Sequence, residues 1–289
     1  MRILFVGVFD KEGKSTNLSQ LFAFKDLGYD VIGYNYRLKA AIHGNEYRDK
    51  DLVYLVKQRA FDLVVFSKCN VVSLEVFKKI SDITTTCLWF MDALVNYDQE
   101  MKDKTKLVHY FCCDKLNVLE HATKINKNSF YVCEGFDSTI DKPRDVDQIY
   151  DASFIGNIYG NRAELLSKLD VPVKVINNAF SNSHSIEVSK SKINLNMCTS
   201  DGASDRVYKI MAAKGFLITD DWPGREDIFI DGEHCVIFKD AEDLNQKINY
   251  YLKNPEEAKK IAEKGYKEVQ KFNRLSWAKQ IVSFYEQVK

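Results

Sequence analysis

The sequence predicts an α/β protein built on parallel sheets, and three observations carry that reading. Short apolar runs alternate with amphipathic helical segments, the alternation runs through twice, and the second run opens on a strand, a glycine-containing turn and a helix. With 289 residues the chain can bury a sizeable core, and its length suits two domains better than one. A content of 45% hydrophobic and 28% charged residues is ordinary for a globular chain, so no segment needs disorder to explain it.

The expected strands of the first half are "RILFVGV", "DVIGYN", "DLVVFS", "TTCLWF", "LVHYFCC" and "SFYVC". Helical segments fall between them, among them "STNLSQLFAFKDLG", which has Ser15 and Thr16 as candidate caps and ends at Gly28. The second half supplies "ASFIG", "VPVKVIN", "KINLNM", "GFLITD" and "CVIFK". Between the halves, "EGFDSTIDKPRDVDQIYD" is polar and turn-rich and has no clear period, which puts the boundary there. The expected domains are therefore residues 1–140 and 151–272. Three successive helices end the chain, the second with Pro255 at an allowed first-turn position. With no strand between them they need a surface to pack on, and the last, in residues 273–289, is expected to return to the first domain. Short-period repeats and low-complexity tracts are absent.

Lysine plus arginine balance aspartate plus glutamate at 41 each, so no global field draws the chain to nucleic acid or an anionic membrane. The seven cysteines include no CxxC pair and mostly lie in apolar runs, which favours reduced, buried thiols and a cytoplasmic setting. No stretch approaches the ~18 apolar residues that span a bilayer. The opening "MRILFVGVFDKEGK" lacks a small-residue cleavage site and reads as a first core strand, not a leader.

Three segments carry candidate chemistry. "GVFDKEGKST" nearly spells a phosphate-binding P-loop, but Val8 stands where a glycine must let backbone amides wrap the phosphates. A ligand-contacting loop remains open there, with Asp10, Lys14 and Ser15 as its polar residues, beside a plain surface turn. "ASFIGNIYGNRAELL" offers a strand, the glycines Gly156 and Gly160 with Asn157 between them, and Arg162 near a helix start. "NMCTSDGASDRVYKIMAAKGFLITDDWPG" repeats that logic: a strand, the small-residue loop containing Asp201 and Gly202, the N-cap Ser204, and a helix led by Arg206. A cation is disfavoured at a helix N-terminus, so Arg206 points either to a bound anion or to an ion pair with Asp205 or Asp201. Two such turns at one sheet edge suit a diphosphate. Asp92, after "WFM", sits at a strand end as a candidate base or as a helix cap. His109 lies in an apolar run and reads as a core residue, and His121, His184 and His234 lack metal-ligand spacing, so no metal is expected.

The segment from "SKINLNMCTSDGASDRVYKIMAAKG" through "FLITDDWPGREDIFIDGEHCVIFKD" to "NPEEAKKIAEKGYKEVQ" resembles the C-terminal domain of CgeB-like, group 1 type GT-B glycosyltransferases. "FYVCEGFD" is similar to the stretch that closes their N-terminal domain. The resemblance implies two Rossmann-like domains facing across a cleft, a sugar nucleotide held by the second domain, an acceptor by the first, and a final helix crossing back. It also implies that Asp201 and Lys209 take the places of two glutamates, the first near the donor sugar and the second on the ribose. A charged lysine accepts no hydrogen bond, so Lys209 departs from the pattern and either meets phosphate or faces solvent. Glu226, after the Pro223-Gly224 turn, is a further candidate for the ribose or sugar.

The expected activity is transfer of a hexosyl or pentosyl group from a nucleoside-diphosphate sugar, with no permanently bound cofactor, to a glycan, a protein or a modified DNA base. Arg206, Arg162 and amides near Gly156 and Ser204 would stabilise the leaving diphosphate, and Asp92 would take the acceptor's proton. The alternatives are a non-catalytic nucleotide-sugar-binding module and a P-loop-like nucleotide kinase.

Overall fold

The computed structural model describes residues 1–10, 15–198 and 202–289, and the chain divides into two compact units, Met1–Glu134 with Arg274–Lys289, and Gly135–Asn273. The candidates Lys14 and Asp201 lie outside the described residues.

Unit 1 begins with β1 (Arg2–Gly7), α1 (Asn17–Asp26), β2 (Asp30–Asn35), α2 (Tyr36–His43), α3 (Asn45–Gln58) and β3 (Leu63–Ser67). It continues with α4 (Leu74–Ser81), β4 (Thr85–Phe90), α5 (Gln99–Leu107), β5 (Tyr110–Cys113), α6 (Leu116–Thr123) and β6 (Ser129–Tyr131). The strands form a six-stranded parallel sheet in the order β2-β1-β3-β4-β5-β6. Inner strands covered on both faces must be apolar throughout, and Ile3 to Val6 and Leu63 to Phe66 are fully buried. The edge strand β2 instead mixes buried Val31 and Tyr34 with the exposed Asp30 and Gly33. Caps mark the helix starts: Asn35, Ser73 and Asp98 accept the amides of Leu38, Val76 and Met101. At α1 Thr16 holds the N-cap position but its hydroxyl donates to Glu134 at 3.3 Å, and it is the Ser15 hydroxyl that accepts a helix-start amide, that of Asn17 at 3.3 Å.

Unit 2 contains β7 (Tyr150–Ile155), α7 (Arg162–Ser167), β8 (Val173–Ile176), α8 (Asn182–Ser189), β9 (Ser191–Asn196) and α9 (Asp205–Ala212). After these come β10 (Leu217–Asp220), β11 (Val236–Phe238), α10 (Ala241–Lys253) and α11 (Pro255–Val269). Its five-stranded parallel sheet runs β11-β10-β9-β7-β8. The polar stretch after Glu134 is stitched into this unit: Arg144 bonds Ser185 of α8 at 3.0 Å and the Ile140 carbonyl at 2.8 Å. Gly265 of α11 lies so near the His234 carbonyl that an added Cβ would sit 2.3 Å from its oxygen.

The chain ends in α12 (Arg274–Val288), which belongs to unit 1. Trp277, Ala278, Ile281, Val282 and Tyr285 bury one face of it against the sheet and α1. Trp277 meets the rings of Phe24, Trp89 and Phe5 at 5.3, 5.6 and 6.2 Å, and the Tyr110 hydroxyl donates to the Ile281 carbonyl at 3.0 Å. Burying each large apolar side chain contributes about 1.5–3 kcal/mol, so this helix is part of the unit 1 core.

Candidate functional site

Open parallel sheets bind ligands at the carboxyl ends of their strands, where the strand order reverses. In unit 2 that point is between β7 and β9, and both arginine-bearing turns leave from it.

After β7, Gly156 has φ +147°, a value that favours glycine, and a Cβ there would lie 2.7 Å from Arg206 Nη2. The missing side chain leaves room for the guanidinium. Arg162, 3% exposed, donates to the Met197 carbonyl through Nε at 3.1 Å and Nη2 at 2.6 Å, and to the Asn157 carbonyl at 2.9 Å. Its guanidinium carbon lies 4.2 Å from the Tyr159 ring centroid and 5.2 Å from that of Phe154. Arg206 lies 5.0 Å from the same Phe154 centroid and donates through Nη1 to Asn196 Oδ1 at 2.8 Å. Two cations thus share one aromatic ring. Burial pushes the Arg206 guanidinium below its ordinary range, with Asp205 opposing and Arg162 reinforcing that shift. Neither arginine forms an ion pair with a carboxylate among the described residues.

The neighbouring groups define the rest of the site. Ser204 occupies the N-cap position of α9, but its hydroxyl donates to Asn196 Oδ1 at 3.1 Å, which corrects the expected side-chain cap. Its hydroxyl therefore caps none of the first-turn amides, while its carbonyl accepts that of Val207 at 3.1 Å. Lys209 pairs with Asp205 at 2.5 Å. Gly202 is buried, Asn157 is exposed, and Glu226 is exposed on the single 3-10 turn Arg225–Asp227, with no bond to either arginine. A cleft of about 270 Å³ opens beside Met197 and Asp220, lined also by Asn161, Leu165 and Phe238. Asp220 accepts the Cys198 amide at 2.8 Å, and burial raises its carboxyl above the usual range.

Unit 1 has its own reversal at β1 and β3. A cleft of about 450 Å³ there is lined by Asp10, Ser15, Tyr36, Arg37, Lys68 and Met91, among others. Asp10 accepts the Ser15 amide at 2.7 Å. Asp92 follows β4 and is ion-paired with Lys68; the short turn that comes next takes Ala93 at its N-cap, so Asp92 is not a cap. His109 is half-buried and bonded to Thr86 at 3.1 Å, and burial lowers its pKa. Among the described residues no three His, Cys, Asp or Glu side chains cluster as metal ligands do.

Asn196, Phe154 and Lys68 are the site residues that sequence reasoning missed. Asn194 and Asn196 alternate inside the buried strand β9, and two amides at period two in a core strand are a readable signal. Phe154 and Lys68 carry no such signal.

Two units, each with a Rossmann-like parallel sheet, give the chain the fold of GT-B glycosyltransferases. Residues 146–283 match the family model Glyco_trans_1_2, glycosyl transferase-like. HepE of Anabaena, solved with UDP-glucose, is similar at a TM-score of 0.74 and 11% identity, over 99% of this chain and 100% of that one. A glycosyltransferase of Rickettsia africae gives 0.73 and 14%, over 99% and 98%. Sucrose-phosphate synthase of Thermosynechococcus elongatus gives 0.72 and 11%, over 99% and 98%. At such identities the likeness is one of fold. No curated protein matches the sequence.

Proposed function

We propose that the chain transfers a hexosyl or pentosyl group from a nucleoside-diphosphate sugar to a hydroxyl-bearing acceptor, and that it is a CgeB-like member of its class. The observation that carries this reading is the pair Arg162 and Arg206, two guanidiniums on one aromatic ring at the β7/β9 reversal, neither of them in an ion pair with a carboxylate among the described residues. Placing two like charges together in a partly desolvated site is costly unless an anion joins them. A diphosphate supplies that anion, and the amides at the start of α9 add donors on the side of the positive dipole.

As the bond from the anomeric carbon to the diphosphate breaks, negative charge grows on the leaving oxygen, and Arg206 with Arg162 stabilises it. The 270 Å³ cleft beside Asp220 suits the nucleoside, Glu226 and Asp201 suit hydroxyl groups of the ribose or sugar, and Gly202 lets the loop approach closely. The amide of Ser204 and the backbone at Gly156 and Asn157 complete the donor side. On the acceptor side Asp92 takes the hydroxyl proton, Asp10 and Ser15 line the nearby cleft, and Lys14 is a further candidate for the acceptor. The acceptor is a glycan, a protein or a modified DNA base. The seven cysteines form no disulfide among the described residues, which supports a reducing, cytoplasmic setting, and no helix among those residues is long and apolar enough to cross a membrane.

The test is a thermal-shift panel of UDP-, GDP-, ADP- and CDP-linked sugars without added metal, since a ligand selective for the folded state raises its melting temperature. A shift with one nucleotide class and release of that nucleoside diphosphate on addition of acceptor extracts support the reading. The absence of a shift with every sugar nucleotide overturns it. A second reading, a binding module without turnover, is favoured by Lys209 in the place of a ribose-binding glutamate; it predicts the same shift with no nucleotide released.

A further inference from the structure

The unit 1 site contains an expensive local feature that the proposed chemistry has not used. Directly after β3, Lys68 and Cys69 have φ of 57° and 54°, two consecutive non-glycine residues in left-handed backbone. Such a conformation is disfavoured by the Cβ and persists only where its surroundings hold it.

Two buried cations from different helices do the holding. Lys104 of α5 is fully buried, and its ammonium donates to the carbonyls of Cys69 at 3.0 Å and Asn70 at 2.8 Å, with Glu100 at 2.7 Å taking the third proton. Arg48 of α3, 1% exposed, donates through Nη2 to the next carbonyl, Val71, at 2.7 Å, while Asp49 and Asn45 occupy its other nitrogens. Three successive carbonyls are therefore gripped by side chains distant in sequence. The Lys68 amide donates to the Trp89 carbonyl at 2.9 Å, tying the turn to the end of β4, just before Asp92. Burying two charged groups is costly, and apolar packing would fill the same space more cheaply. What the cations add is a fixed backbone.

We propose that Lys104 and Arg48 are positioning residues, whose grip on carbonyls 69–71 keeps the turn left-handed and so holds the Lys68 ammonium against the Asp92 carboxylate. The catalytic consequence rests on the reading of Asp92 as the acceptor's base; the geometric part does not. In that role the clamp sets where the carboxylate stands and supplies its counter-charge.

The experiment measures acetylation of Lys68 by sulfo-N-hydroxysuccinimide acetate, using peptide mass spectrometry and the exposed Lys78 as internal reference. In Lys104→Met the rate at Lys68 is expected to rise several-fold, because the ammonium leaves its partner. Adding Cys69→Gly, which takes positive φ without a Cβ penalty, is expected to bring it back toward the wild-type rate. An unchanged Lys68 rate in a folded Lys104→Met overturns the proposal. If Lys104→Met fails to fold by circular dichroism, Arg48→Lys, which keeps the charge but shortens the reach to Val71, is judged by the same rate. In turnover of the sugar nucleotide that binds best, Lys104→Met lowers kcat at constant donor KM and the added Cys69→Gly recovers it. A double variant worse than the single one indicates a merely structural role and overturns the proposal. Asp92→Asn separates the two claims: retained turnover removes the base reading and leaves the acetylation result standing.

Discussion

Lys209 and Asp205 face each other across one turn of α9, ammonium to carboxylate at 2.5 Å. The lysine standing where the resemblance expects a ribose-binding glutamate is therefore engaged along its own helix. An i,i+4 pair of this kind contributes only about 0.3–0.5 kcal/mol. We expect Lys209→Ala to cost no more stability than that and to leave donor affinity within about threefold, a shift of less than about 1 kcal/mol. Isothermal titration of the variant checks this, and loss of donor binding would show that Lys209 touches the donor.

Arg206→Ala is expected to separate binding from stability. Losing a desolvated charged contact to a diphosphate costs about 2–5 kcal/mol of affinity. The unliganded protein, relieved of one of two neighbouring cations, should melt at the same temperature or higher. A variant that binds donor like wild type would remove Arg206 from the site.

Gly156→Ala should resemble Arg206→Ala in affinity while adding a folding cost. The new Cβ would stand 2.7 Å from Arg206 Nη2, on backbone at φ +147°. About 1–3 kcal/mol of destabilisation is expected in urea denaturation, together with weaker donor binding. Normal affinity would mean that the guanidinium relocates without consequence.

His184 of α8 is 7% exposed, its Nδ1 has no hydrogen-bond partner among the described residues, and burial lowers its pKa to about 3, with Lys209 reinforcing the shift, Asp205 opposing it and Arg206 reinforcing it. The folded pKa lies below the unfolded one, so between an ordinary histidine value of about 6.5 and the lowered one only the unfolded chain binds the proton. Stability is thus complete above about pH 6.5 and falls toward pH 3, at up to about 1.4 kcal/mol per pH unit from this group. Urea melts at pH 7 and pH 5 should show a smaller loss in His184→Gln than in wild type. An equal loss in both would assign the acid sensitivity elsewhere.

Trp277→Ala tests the core under α12. Removing a ring packed on Phe24, Trp89 and Phe5 should cost about 3–5 kcal/mol, read as an earlier urea midpoint. A loss below about 1 kcal/mol would mean that this helix is not part of the unit 1 core.

The strands were legible because a strand buried on both faces announces itself as a short apolar run, as "RILFVGV" and "DLVVFS" do. Helix starts were legible even at Thr16 and Ser204, which hold N-cap positions, but the capping bond was not, because their hydroxyls bond to Glu134 and Asn196 instead. Arg206 was conspicuous because an arginine in the first turn of a helix opposes the dipole. Its fixed partners were not, since Phe154 and Asn196 lie on two different strands of the sheet.

From the sequence alone follow the parallel α/β class, the run of elements and the two glycine-and-arginine turns, because periodicity, caps and backbone freedom act over a few residues. Only the tertiary structure decided that Arg162 and Arg206 share one ring, that Lys209 is taken by Asp205, and that Lys68 meets Asp92 above a turn gripped by Lys104 and Arg48. All but one of these contacts bring together groups far apart in the chain or carried by separate elements, and the i,i+4 pair of Lys209 is settled by rotamer choice against its surroundings. Which of several available partners a charge takes depends on packing and desolvation, and those quantities exist only once the sheet is assembled.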